Sequence, residues 1–208
     1  INNGAFSCIS SLKSVVISDS VTVVNPYAFG NCSNLSELTI GSSVTTLGVK
    51  CFNGCNSLEV INANPTTPPT IGWGNEYEDS VFTDYSAIVI VPLGCIDVYK
   101  QSSEWNRFSN IQGPGFSENG IKYELISETE VKIISVDKSL SGGVIIPDIA
   151  NNSYKVVEIA DRAFADCSAI TSLVIPDSLS VIGSGVFEGC STLETVTWNA
   201  INCSYSGN

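Results

Sequence analysis

DRAFADCSAITSLVIPDSLSVI, Asp161 to Ile182, decides how this chain is read, because its pattern returns at four other places. Ala163 and Phe164 open it, Cys167 follows three residues after the Phe, and apolar residues come at fixed offsets: Ile170, Leu173, Ile175, Leu179 and Ile182. Aligned on the aromatic residue, Phe6, Phe29 and Phe52 are spaced by 23, as are Phe164 and Phe187. Six residues after each Phe stands Leu12, Leu35, Leu58, Ile170 or Leu193, and nine after stands Val15, Leu38, Ile61, Leu173 or Val196. Eleven after come Ile17, Ile40, Ala63, Ile175 and Trp198. Fifteen and eighteen after come Val21 and Val24, Val44 and Leu47, Leu179 and Ile182.

A fixed period in the twenties predicts a solenoid of stacked coils. One copy offers about seven side chains for burial, each contributing roughly 1.5–3 kcal/mol. Ordering its residues costs on the order of 1–2 kcal/mol each in backbone entropy alone. A lone repeat is therefore unfavourable, must be covered by neighbours on both sides, and leaves ends that need caps. Within a copy, Leu173 and Ile175 alternate with Ser172 and Val174, the period of a short strand. Ile175-Pro176-Asp177-Ser178 turns the chain, Leu179 to Ile182 forms a second extended segment, and Gly183 to Gly185 turns it again. The Ala-Phe-x-x-Cys stretch fits either a tight loop or one helical turn.

The period divides the chain into repeats at 1–63, an aperiodic closing unit at 64–112, a linker and hairpin at 113–147, and a second array at 148–208. From Asn64 the sequence is dense in Pro and Gly. An apolar strand, Ala87 to Val91, is stopped by Pro92, and a short helix is expected over Cys95 to Glu104. Gly113-Pro114-Gly115 marks the boundary. Ile121, Tyr123 and Leu125 then alternate against Val131 and Ile133 around SETE, as a hairpin does. Gly142 to Asp148 re-enters the repeat, with a six-residue insertion placed at Ala150 to Lys155.

Composition narrows function. The 208 residues are 43% apolar and 14% charged, with a formal charge of −12, which describes an ordered protein that repels phosphate backbones and anionic lipids. Nucleic acid is therefore not an expected partner. No apolar run reaches the roughly 18 residues of a membrane helix, and no signal segment stands at Ile1. The chain opens inside a repeat, as a piece of something longer would. Histidine is absent, which removes His-based triads and the commonest transition-metal ligand.

Cys32, Cys55, Cys167 and Cys190 share one phase of the repeat, a slot that Ile9 also fills. A buried free thiol suits such a slot; coils about 5 Å apart also lie within disulfide range. Cys51-x-x-x-Cys55 is the one close pair and lacks the second pair of a zinc site, so no metal or cofactor is expected. Glu76, Glu78 and Asp79 cluster without the spacing of a calcium loop and read as a solvated loop. Trp73, Tyr77, Tyr85 and Trp105 are candidates to anchor a partner or to pack the closing unit onto the last repeat.

AFGNCSNLSELTIGSSVTTLG, AFADCSAITSLVIPDSLSVIG and VFEGCSTLETVTW together resemble the BspA-like class of leucine-rich repeats. NPTTPPTIG with IVIVPLGCIDVYKQSSEWNRFSNI is similar to the unit that closes such arrays in surface proteins of Bacteroides-type gut bacteria, and GIKYELISETEVKII resembles the hairpin that opens a new one. Two features depart from the pattern: Cys8 sits two residues after Phe6, and Cys51 replaces the Ala before Phe52. The resemblance implies a mainly β, right-handed leucine-rich-repeat solenoid with little helix. It also implies an exported, cell-surface or lipid-anchored protein that adheres to host protein or glycan, with no catalytic residues to carry over.

The residues themselves offer one surface. Positions seven, eight and ten after each Phe point away from the core: Lys13, Ser14 and Val16; Ser36, Glu37 and Thr39; Glu59, Val60 and Asn62. The second array adds Thr171, Ser172 and Val174, then Glu194, Thr195 and Thr197. These small side chains make a nearly flat ribbon suited to an extended partner, and solenoids bind through such faces. The expectation is thus a non-enzymatic binding protein that recognises a host extracellular protein or glycan. The alternatives are a spacer module of a larger surface protein and a polysaccharide-active β-helix, which would need acidic residues stacked on consecutive coils.

Overall fold

In the computed structural model, which describes residues 1–73 and 80–206, the Ala-Phe-x-x-Cys stretch is a string of tight turns. Alternate amides close it internally: Ala28 donates to Asn25, Gly30 to Tyr27 and Cys32 to Phe29. The amides between them donate to the next coil, Tyr27 to Val49, Phe29 to Cys51 at 2.9 Å and Asn31 to Asn53 at 2.7 Å. No amide of the run is left unpaired, which a buried backbone requires. The geometry needs a left-handed residue two before and two after the Phe. Tyr27 and Asn31, Lys50 and Gly54, Arg162 and Asp166, and Gly185 and Gly189 all have φ between 56° and 76°. Gly4 and Cys8 fill the same places in the first coil.

The chain divides into two units, Ile1–Pro114 and Gly115–Asn208. The first contains β1 (Ser14–Ile17), β2 (Val23–Val24), β3 (Glu37–Ile40), β4 (Thr46–Gly48), β5 (Val60–Ala63), β6 (Thr70–Gly72), β7 (Ile88–Ile90), α1 (Ile96–Gln101) and β8 (Asn110–Gln112). Strands β1-β3-β5-β7-β8 form one parallel sheet and β2-β4-β6 another. The phenyl rings of Phe6, Phe29 and Phe52 stack face to face with centroids 5.2 and 5.4 Å apart. Phe82 adds a fourth rung 5.5 Å beyond Phe52, although it stands 30 residues on. The stretch 64–112 is therefore coiled as well, with β6, Phe82, β7 and β8 each paired to the coil before it.

Aromatic residues finish this unit. Trp105 and Phe108 meet Phe82 edge-on at 5.8 and 5.2 Å, and Tyr99 meets Trp105 at 5.1 Å. The Tyr99 hydroxyl donates to the Pro65 carbonyl and Trp105 Nε1 to that of Pro69, so two buried rings hold the Pro-rich segment in place. Glu104, 4% exposed, accepts the amides of Val81 (2.8 Å) and Phe82 and the hydroxyl of Tyr85, and pairs with Arg107. Its carboxylate stands where the coil departs from the regular turn.

The second unit contains β9 (Gly115–Glu118), β10 (Ile121–Leu125), β11 (Glu130–Val136), β12 (Gly142–Ile145), β13 (Ile149–Ala150), β14 (Tyr154–Ile159), β15 (Ile170–Ile175), β16 (Val181–Ile182), β17 (Thr195–Trp198) and β18 (Ser204–Tyr205). The antiparallel meander β9-β10-β11 joins β14 in parallel, and β16 and β18 extend that sheet. Strands β12-β15-β17 form the second sheet. The insertion is a tight antiparallel turn from β13 to β14, with Asn151 and Asn152 at φ 48° and 53°. The end rungs differ from the inner ones. Phe6, Val196 and Trp198 occupy core positions yet are 44–46% exposed, since each is covered on one side only.

Corner glycines set how closely coils approach. A Cβ on Gly183 would lie 2.4 Å from the Asp161 amide nitrogen, and one on Gly48 2.3 Å from that of Pro26. Gly183→Ala is expected to destabilise the protein by about 1–3 kcal/mol, read from urea unfolding; an unchanged midpoint would contradict the close approach. Glu104→Ala leaves the buried Val81 and Phe82 amides without their acceptor, at about 1–3 kcal/mol for each donor. Its thermal midpoint should fall well below that of the exposed control Glu128→Ala, and equal midpoints would remove Glu104 from its place as a clamp.

Candidate functional site

The register of the first sheet fixes which side chains share its outer face. Val15, Leu38, Ile61, Val89 and Ile111 point inward and are buried. The intervening positions form two outward columns, Ser14–Glu37–Val60–Ile88–Asn110 and Val16–Thr39–Asn62–Ile90–Gln112. Lys13, Ser36 and Glu59 lie just before the strands and continue the ladder: Ser36 donates its amide to Lys13, and Glu59 to Ser36. Lys13, Ser14, Glu37 and Glu59 are exposed, and Val16 is 74% exposed; Ser36, Thr39, Val60 and Asn62 are half-buried among their neighbours.

Four residues of this face carried no sequence signal: Ile88, Ile90, Asn110 and Gln112. Ala87 to Val91 is apolar throughout, so the sequence does not say which side chains face out; pairing of Val60 with Ile88 and Asn62 with Ile90 does. In the second unit Ser172 lies between Gly143 and Thr195, and Val174 between Ile145 and Thr197. Thr171, Glu194, Thr195 and Thr197 are exposed, Ser172 and Val174 are half-buried, and Ile145, which sequence reasoning passed over, is 72% exposed. The structure thus brings the nine predicted positions of the first unit together on one sheet and the six of the second on another.

The other candidates resolve differently. All eight cysteines are free. The Cys32 thiol donates to the Phe6 carbonyl, Cys55 to Phe29 and Cys190 to Phe164, each at 3.1–3.2 Å across one coil. Burial pushes the Cys55 thiol up to about 12 and raises Cys32, Cys51 and Cys167 as well, so these sulfurs stay protonated and unreactive. Trp105 is fully buried, whereas Trp73 is 61% exposed. Tyr85 fills the cysteine slot of the Phe82 coil; its ring lies under the Arg107 guanidinium, and burial holds its hydroxyl far above the usual range. Tyr77, Glu76, Glu78 and Asp79 fall outside the described residues.

Carboxylates at the coil corners bond backbone. Asp19 accepts the Ser42 amide, which lowers its pKa. Asp148 and Asp177 share a hydrogen bond, which lowers Asp148 and raises Asp177. Among the described residues no three Cys, Asp or Glu side chains come together as metal ligands, and no helix is long and apolar enough to cross a membrane.

Comparison with known proteins returns to the repeat. No curated protein sequence matches the chain. Among solved structures it is similar to a leucine rich cell surface protein from Faecalibacterium prausnitzii A2-165, with 19% identity over 94% of this chain and 57% of that one, at a TM-score of 0.37. A leucine rich repeat protein of T. pallidum is 20% identical over the whole chain and 65% of its own length, at a TM-score of 0.29. A leucine-rich repeat protein from Bacteroides ovatus ATCC 8483 is 16% identical over the whole chain and 78% of its own, at 0.34. The chain thus spans under two thirds of the length of the first two. The model of the BspA type leucine rich repeat region matches six copies, over residues 1–86 and 143–208, and so takes in the Phe82 coil. With that match over well more than half of its length, the chain belongs to the BspA-type leucine-rich-repeat family.

Proposed function

We propose that this protein is a non-enzymatic binding module of the bacterial cell surface, which recognises a host extracellular protein or glycan through the outer strand face of its solenoid. The observation that carries the reading is the continuity of that face. In the first unit five parallel strands present two unbroken columns of side chains. Stacked repeats place successive residues of a column about 4.8 Å apart, a regular, nearly flat surface with no paired acid and base among its outward positions. Recognition suits it better than catalysis. The repeat family agrees with a cell-surface role, and a spacer module of a longer surface protein is the competing reading.

Immobilised matrix proteins and mucin glycans separate these readings. Thr39→Arg with Asn62→Arg on the face should weaken retention at least about tenfold, a change of about 1.4 kcal/mol, while Thr45→Arg on the other sheet should leave it unchanged. Equal retention by both variants would remove the face as the site, and no retention even at low salt would favour the spacer. Release of reducing ends from the glycans would show an enzyme.

A further inference from the structure

We propose that the outer face of the first unit takes an extended polypeptide segment that carries basic and aliphatic residues on one side, with Val60, Ile88 and Ile90 as its apolar seat and Glu37 and Glu59 as its charge partners. This rests on the strand-face reading above and narrows the partner to one class. Val60 and Ile88 are registered neighbours on β5 and β7, and Ile90 lies between Asn62 and Gln112, so the three aliphatics sit together in the middle of the sheet. All three are half-buried. A face kept only for solvation would carry hydroxyls or charges there, as Ser14 and Thr39 do on the strands before it.

Charge complements the apolar centre. Glu37 is the registered neighbour of Val60 and Glu59 precedes it in the chain, and both are exposed. Neither has an ion pair among the described residues, whereas Glu104, Glu124 and Glu188 are joined to Arg107, Lys132 and Arg162. Lys13, the one cation among the named positions of this face, makes no ion pair with either. Two unmatched carboxylates beside an aliphatic patch favour a partner that brings cations and aliphatic side chains together. A neutral sugar is better met by an aromatic platform, and no outward position of this sheet is aromatic; an anionic glycan is repelled by a chain of charge −12.

The test uses the intact chain and fluorescence anisotropy with a short labelled Lys-Val peptide repeating Lys-Ser-Val-Ser, which sets Lys and Val on one side of an extended chain, beside counterparts with Glu in place of Lys and with Ser in place of Val. The Lys-Val peptide should bind at least about tenfold tighter than either. Glu37→Gln with Glu59→Gln, and separately Ile88→Ser with Ile90→Ser, should each weaken it by about tenfold. Glu128→Gln with Glu158→Gln, which changes net charge equally, and Ile149→Ser with Ile201→Ser, exposed aliphatics away from the face, should not; circular dichroism melts check that every variant is folded. Equal weakening by the two double-Gln variants would mean attraction to net charge alone and would overturn the proposal. If a neutral oligosaccharide binds instead and is lost in Ile88→Ser with Ile90→Ser, the basic-peptide inference fails and the strand-face reading stands. If no probe of either class binds, both fall.

Discussion

The hydrogen bond from a ladder phenylalanine amide to the carbonyl of the next coil is the constraint on which the rest of the structure depends. It forms because the turn around the Phe sends every second amide out of its own coil, and this requires left-handed backbone at two positions per repeat. Once those bonds are made, neighbouring coils have no freedom to slide. The rings must stack at 5.2–5.5 Å in the first unit, and the strands that follow must fall into parallel register. The cysteine completes the arrangement: the thiols of Cys32, Cys55 and Cys190 donate to the carbonyl of the Phe one coil back. A residue that looked like a candidate for chemistry is thereby a packing group with a weak polar handle.

The strand face inherits its order from that ladder. Its outward side chains are aligned because the residues between them are fixed in the core. This separates the two demands on the repeat. Inner positions of the regular covered coils hold Phe, Cys and apolar side chains, while the outer positions vary from Ser14 to Ile90 without disturbing the coil. A binding surface built this way changes partner by substitution at a few positions per repeat. In the interior, burial leaves the thiols protonated.

Much of this was legible in the residues themselves, and the exceptions have physical reasons. The offsets from Phe identified the core rungs, the two strands of each coil and the outward positions of the regular repeats. The Phe82 coil was not visible, because its spacing is 30 residues, Tyr85 replaces the cysteine, and Glu104 supplies from a distant segment the acceptor for its turn amides. Long-range substitution of that kind leaves no local pattern. Trp105 stood among polar neighbours, Gln101 to Arg107, which suit an exposed anchor as well as a packed ring, yet it is buried with its indole donating to the Pro69 carbonyl. Ile88 and Ile90 were hidden by parity: an apolar run reads the same from either face until its partner strand is known.

The account rests most heavily on the reduced state of the cysteine ladder, since Cys32, Cys55 and Cys190 must keep their protons to donate to the coil before them. Counting thiols that react with a colorimetric disulfide reagent in the denatured, unreduced protein tests this directly. Eight reactive thiols, the full cysteine complement, is the predicted result. A count of two or fewer would mean that disulfides link the coils and would contradict the account.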